Sequence, residues 1–219
     1  MKWSLIAAFA TAAAASCSTA VQASLIVNGG FETPLNAPAG GFVTYFGGQS
    51  FPGWSVGGNS VDVHHTGHTR AFTGVQSLDL AGNAAGSIAQ TIATVPGATY
   101  TLSLWYSGHV FHPYSGNAFA EIRWGGALID VINRPPSPNI VNMNWIQGVY
   151  SLTATSTSTE LRFVSLSPNG GVILDELNLV VVPEPASVLT LVAVASGLLG
   201  LGARRRGRPT SASAGQPLS

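Results

Sequence analysis

Between Ser24 and Val182 no stretch sustains an apolar period of 3.6 over ten residues, which excludes a helical core for most of the chain. Short alternating or β-rich stretches recur instead, separated at near-regular intervals by Gly, Pro, Asn or Ser clusters, the pattern of a β-sandwich. The predicted strands are Ser24–Val27, Gly41–Tyr45, Ser60–His64, Gln76–Leu80, Ser87–Thr94, Thr99–Ser107, Ala118–Trp124, Ala127–Ile132, Trp145–Thr153, Thr159–Ser165 and Gly171–Val181. Period two in Thr99–Ser107 puts Tyr100, Leu102, Leu104 and Tyr106 on the core face and Trp105 on the other. The same rule turns Leu161 and Phe163 inward and Arg162 outward. Val110–Asn117, with Pro113, and Asn133–Asn144, broken by Pro135, Pro136 and Pro138, are expected as exposed loops.

Both ends of the chain carry targeting patterns. Lys2 is a short positive n-region, Leu5–Ala15 an apolar h-region, and Val21-Gln22-Ala23 a small-residue cleavage site, so residues 1–23 are expected as a signal peptide and Ser24 as the mature N-terminus. A competing reading takes Ala14-Ala15-Ser16-Cys17 as a lipoprotein box around the one cysteine of the chain. Cleavage after Ala23 leaves a mature chain without cysteine, so its stability must come from its core or a bound metal. At the other end stand Val182-Pro183-Glu184-Pro185, an apolar run from Ala186 to Ala203, and Arg204-Arg205-Arg206. The run reaches the lower limit of a membrane-spanning helix, about 17 residues, with the arginines on the cytoplasmic side. Pro209–Ser219 is expected as a disordered tail. The order of Pro183, Glu184, Pro185, short apolar helix and Arg204, Arg205, Arg206 resembles the PEP-CTERM sorting signal of Gram-negative bacteria. That resemblance implies an exosortase-type processing enzyme as partner, and an exported chain held at the envelope by its C-terminal helix at least transiently.

The segment 24–182, about 159 residues, suits one domain. Five of the nine basic residues lie in the targeting segments, leaving Arg70, Arg123, Arg134 and Arg162 against eight carboxylates, a net charge of −4. Such a surface does not track a phosphate backbone, which excludes nucleic acid as a partner class.

Asn28-Gly29-Gly30-Phe31-Glu32 near the start of the domain and Leu174-Asp175-Glu176-Leu177 near its end resemble the two ends of galactose-binding-like jelly rolls. Pro52-Gly53-Trp54-Ser55-Val56, Ser60-Val61-Asp62-Val63, Gln76 to Gly82, and Gly86 to Thr91 followed by Gly97 to Tyr100 look like the choice-of-anchor C family, an extracellular domain joined to alternative sorting signals. The resemblance implies an all-β jelly-roll sandwich and a structural calcium held by Glu32 and Asp175, with Asn28 as a weaker third. Calcium takes six to eight oxygens, so carboxylates beside a glycine-rich turn suit it in kind; the plain alternative is that Glu32 caps backbone amides and Asp175 is a surface carboxylate.

Three further groups carry possible chemistry. His64, His65 and His68 form an H-H-x-x-H cluster with nitrogen donors for zinc or copper, but adjacent His64 and His65 point to opposite faces of a strand, so at most one of them joins His68. Sugar rings stack on flat aromatic rings while amides and Arg bond their hydroxyls. Trp54 and Trp145 are expected in the core, and Trp105 and Trp124, the latter beside Arg123, as the ligand platform. Catalysis finds little support: there is no G-x-S-x-G elbow and no mature cysteine or lysine nucleophile. Glycoside hydrolysis needs paired carboxylates, and Asp62 and Asp79 are the pair that neighbouring strands would bring together. The expectation is a non-catalytic, exported cell-surface or matrix protein contacting polysaccharide. The alternatives are a matrix protein working through protein contacts, and a polysaccharide-modifying hydrolase.

Overall fold

Strand formation follows the alternation closely. The computed structural model describes residues 22–110 and 116–183. Within them lie β1 (Phe42–Phe46), β2 (Ser50–Phe51), β3 (Trp54–Gly58), β4 (Ser60–His65), β5 (Gln76–Asp79), β6 (Gly86–Ala93), β7 (Thr99–Gly108), β8 (Ala118–Trp124), β9 (Ala127–Arg134), β10 (Ile146–Thr153), β11 (Ser158–Ser165) and β12 (Val172–Val181), with no helix among the described residues. They form two antiparallel six-stranded sheets, one in the order β1-β4-β5-β12-β7-β10 and the other β2-β3-β6-β11-β8-β9. The fold is therefore the all-β jelly-roll sandwich expected, each sheet built from early strands on one flank and later strands on the other. Residues 1–21 of the expected signal peptide, Cys17 among them, residues 111–115, Glu184, Pro185, the apolar run 186–203, Arg204–Arg206 and the expected tail lie outside the described residues.

Ser24–Val27 is not a strand. It turns across the end of the first sheet, where Leu25 N–H donates to Leu179 O at 2.8 Å. The unforeseen hairpin β2–β3 is short and turns at Pro52-Gly53, and its glycines at 57 and 58 hide its period.

Between the sheets, Leu102, Leu104, Ile122, Leu161, Phe163, Leu174 and Leu179 are fully buried, and Tyr100 and Trp54 nearly so. Thr99–Ser107 shows the predicted parity, with Tyr106 half-buried at the end of the inward row. Burying a side chain of this size contributes roughly 1.5–3 kcal/mol, so this inner layer dominates stability.

The first sheet also has a buried outer face. On β4 and β5 the outward residues Asp62, His64, Ser77 and Asp79 are as buried as the inward ones. Two loops, 66–75 and 135–145, bond to each other and to this face. Arg70 N–H donates to Ile140 O at 2.9 Å, and Ser137 N–H to His109 O at 3.1 Å. Ser137 Oγ lies 2.7 Å from Ser107 Oγ and donates toward Met143 O. The segment Asn133–Asn144, expected as exposed, thus buries Ser137 and Met143.

Candidate functional site

The covered face of the first sheet holds a polar cleft of about 240 Å³. Phe42 of β1, Asp62 and His64 of β4, His68 in the following loop, Asp79 of β5 and His109 just past β7 line it. Strand register brings them there: Phe42 stands opposite His64, and Asp62 opposite Asp79. The adjacent histidines do diverge. His64 points into the cleft with its ring 4.7 Å from that of His68, while His65 Nδ1 accepts from Gly67 N–H at 2.9 Å.

His109 was missed from sequence because nothing but tertiary folding joins it to a cluster some 45 residues earlier. Its Nε2 lies 3.4 Å from Asp79 Oδ2. His64 Nδ1 is 2.8 Å from Thr69 Oγ1. Asp79 Oδ1 accepts Ala81 N–H at 2.8 Å and Gly171 N–H at 3.1 Å. Burial pushes the Asp79 carboxyl well up, and burial with His68 nearby pushes His109 down to about 4. Burial, with His68 and His109 adding to it, also holds His64 well below the usual imidazole range. Desolvation of both Asp79 and His109 favours their neutral forms and works against an ion pair across this contact. Asp62 Oδ1 is buried without a hydrogen-bond partner, and burial raises its carboxyl as well.

Along the same face stands an aromatic shelf. Phe72 lies on Trp105 with centroids 3.8 Å apart and planes 15° from parallel, and Trp145 meets Phe72 edge-on at 6.2 Å. Phe72 is 37% exposed. Trp145, expected in the core, is half-buried instead, its Nε1–H donating to Arg70 O at 3.1 Å. Gln147, exposed, is the register partner of Trp105 on β10.

Asp175 and Glu32 anchor the neighbouring turns. Asp175 is fully buried; its Oδ2 accepts Phe72 N–H at 2.8 Å and Thr73 N–H at 3.2 Å, and its Oδ1 accepts Glu176 N–H at 2.8 Å. Burial pushes this carboxyl up to about 7, against the pull of those donors. Glu32 Oε1 accepts Val75 N–H at 2.8 Å and Gln76 N–H at 3.0 Å. A Cβ on Gly74 would lie 2.1 Å from that oxygen, and one on Gly29 2.0 Å from Leu177 O, so the two turns need glycine to close on each other. Gly30 lies between the two turns: a Cβ there would stand 3.3 Å from Glu176 Oε1, 3.9 Å from Asp175 Oδ1 and 3.8 Å from the Cγ of Glu32, whose carboxylate faces Gly74 instead. Asn28 does not join them: its side chain bonds Thr33 N and O and Pro52 O.

Trp124 is not a platform. It is 4% exposed, packs against Tyr100, and donates from Nε1 to Thr153 O at 3.0 Å. The parity of β8, with Ala118, Ala120, Ile122 and Trp124 on one face, turns it inward. Arg123 points out from the second sheet, its Nε 2.6 Å from Glu121 Oε2, and shares no surface with Trp105. Pro183 is the last described residue of the sorting group.

Residues 181–206 match the PEP-CTERM protein-sorting motif, which marks an exported, envelope-sorted chain. Halomucin of Haloquadratum walsbyi is 27% identical over 174 residues, covering 76% of this chain and 2% of that far longer protein. Among solved structures, the carbohydrate-binding module TmCBM61 in complex with β-1,4-galactotriose gives a TM-score of 0.48 at 16% identity, covering 73% of this chain and 99% of that one. A family 35 carbohydrate-binding module from Clostridium thermocellum gives 0.40 at 12% identity, covering 65% and 94%. The Stig cyclase Fisc from Fischerella sp. TAU gives 0.49 at 17% identity, covering 74% and 98%. The chain itself belongs to the family described as Protein of unknown function (DUF642), whose model it matches over residues 24–179.

Proposed function

We propose that this exported, envelope-sorted chain is a non-catalytic module that holds extracellular polysaccharide on the outer face of its first sheet. The observation that carries the reading is the aromatic shelf. An exposed Phe72 ring backed by Trp105, with Trp145 at its edge, supplies flat apolar surface. Exposed Gln147 and Arg70 beside it supply donors for hydroxyls. Saccharide C–H faces and hydroxyls call for this combination. The exosortase-type enzyme implied by the sorting motif is the processing partner. The test is retention of the purified full chain on the producer's own exopolysaccharide, with tryptophan fluorescence read under a neutral quencher. Protection of tryptophan by polysaccharide supports the reading, and an unprotected, unretained wild-type chain ends it.

One observation favours the alternative of a matrix protein working through protein contacts. Strand β9 forms the edge of the second sheet and exposes Leu128 at 50% and Val131 at 39%. An apolar open edge is a template for pairing with another chain. Concentration-dependent sedimentation, abolished by Leu128→Lys, would support it.

Structural calcium is the proposal for the other end of this face. Carboxylates of Glu32 and Asp175 on two packed, glycine-closed turns suit a hard cation in kind, and the resemblance to calcium-holding jelly rolls points to the same two turns.

A further inference from the structure

We infer that His64, Asp79 and His109 form a site for a divalent transition-metal ion of the zinc class, with its open position facing the cleft. Each residue offers one ligand atom, and these atoms all lie within 4.8 Å of one another. Two nitrogens and one carboxylate oxygen are the donors that zinc takes when it keeps a fourth position for water or ligand. Calcium, which wants six to eight oxygens, does not suit this set.

The spacing agrees with that assignment. Nitrogen and oxygen donors each about 2.0–2.2 Å from a tetrahedral ion stand roughly 3.4 Å apart. His109 Nε2 and Asp79 Oδ2 are 3.4 Å apart, long for a direct hydrogen bond and right for two ligands sharing an ion.

Supporting contacts hold the donors in place. The 2.8 Å contact of Thr69 Oγ1 with His64 Nδ1 leaves Nε2 as the ring nitrogen for the ion. Ala81 and Gly171 amides occupy Asp79 Oδ1 and leave Oδ2 on the side of His109. Two ligands come from β4 and β5 and the third from the residue that follows β7, so the sheet and not one flexible loop sets their geometry. In the same cleft Asp62 Oδ1 is buried without a donor, and a water on the ion would supply one.

This site is separate from the aromatic shelf and from the Glu32–Asp175 turns, so it stands or falls independently of the polysaccharide and calcium readings. Its test uses untagged full chain, stripped with chelator, dialysed against zinc, and analysed for metal per chain. Cobalt(II) loading is read in the visible spectrum. The expected result is one zinc per chain, a rise in melting temperature, and the intense visible bands of low-coordinate cobalt. His109→Ala removes a ligand and weakens binding by no less than the about 10–100-fold that loss of an outer-shell partner costs, whereas His65→Gln, outside the cleft, leaves it unchanged. Asp79→Asn disturbs the amides held by that carboxylate, so His109→Ala is the deciding variant. Should it fail to fold, the cobalt spectrum of the wild-type chain decides. Wild-type chain without stoichiometric zinc, binding unaltered in His109→Ala, or a cobalt spectrum of the hydrated ion overturns the proposal.

Discussion

The ring of Phe72 rests on that of Trp105, and the carboxylate that holds Phe72 there belongs to Asp175, the register partner of Trp105 on β12. One buried acid thus fixes the loop backbone whose side chain covers its neighbour. Phe72→Ala uncovers Trp105, so quenching of tryptophan by a neutral quencher rises, and loss of the ring pair costs about 0.5–1.5 kcal/mol in a urea melt. Asp175→Ala leaves three amides without their acceptor, costs about 1–3 kcal/mol for each that stays buried and unpaired, and produces the same rise in quenching. Quenching unchanged in both variants would remove the coupling between them.

Adjacent positions on β8 should behave in opposite ways. Trp124→Ala empties a fully packed site between the sheets and costs about 3–5 kcal/mol in a denaturant melt. Arg123→Ala removes an outward ion pair with Glu121 and leaves the midpoint unchanged within error, because solvent screens such pairs. Neither variant alters polysaccharide retention, since both residues lie on the sheet away from the shelf.

Alternation made the inner layer legible in advance. Tyr100, Leu102, Leu104, Leu161 and Phe163 face inward as period two requires. The same period on β8 turns Trp124 inward with Ala118, Ala120 and Ile122, a parity that its surface neighbours Arg123 and Gly125 mask in the sequence. The second buried layer was illegible because its residues are polar. Asp62, His64, Ser77 and Asp79 occupy outward positions that a sequence pattern assigns to solvent, and loops folded over that face, among them 66–75, 135–145 and the turns at Ala81–Gly82 and Gly170–Gly171, withdraw them from it. His109 joined the cleft for the same reason: strand order, with β7 two places from β5, is not written in local periodicity.

Glu32 and Asp175 hold the two packed turns proposed for calcium, so a bound calcium should raise the melting temperature and chelator should lower it. Glu32→Gln removes the calcium shift while the amides of Val75 and Gln76 still find a side-chain oxygen. A melt indifferent to calcium and chelator would leave these carboxylates as caps for backbone amides and nothing more.

Tyr150 ties the edges of the two sheets, its hydroxyl donating to Asp130 Oδ2 at 2.9 Å from β10 to β9. Burial first, and then Asp130 and Tyr106, raise its ionisation above the usual phenol value of 10.0. An unfolded tyrosine loses its proton near pH 10 while the folded one keeps it, so the folded chain binds the extra proton. The contribution is fully present below pH 10 and declines as pH rises beyond it. Tyr150→Phe is expected to cost about 1 kcal/mol at neutral pH, less if solvent replaces the bond. Urea melts from pH 8 to 11 should then fall more shallowly for the variant than for the wild type. Parallel curves would mean that Tyr150 ionises as readily in the folded chain as in the unfolded one.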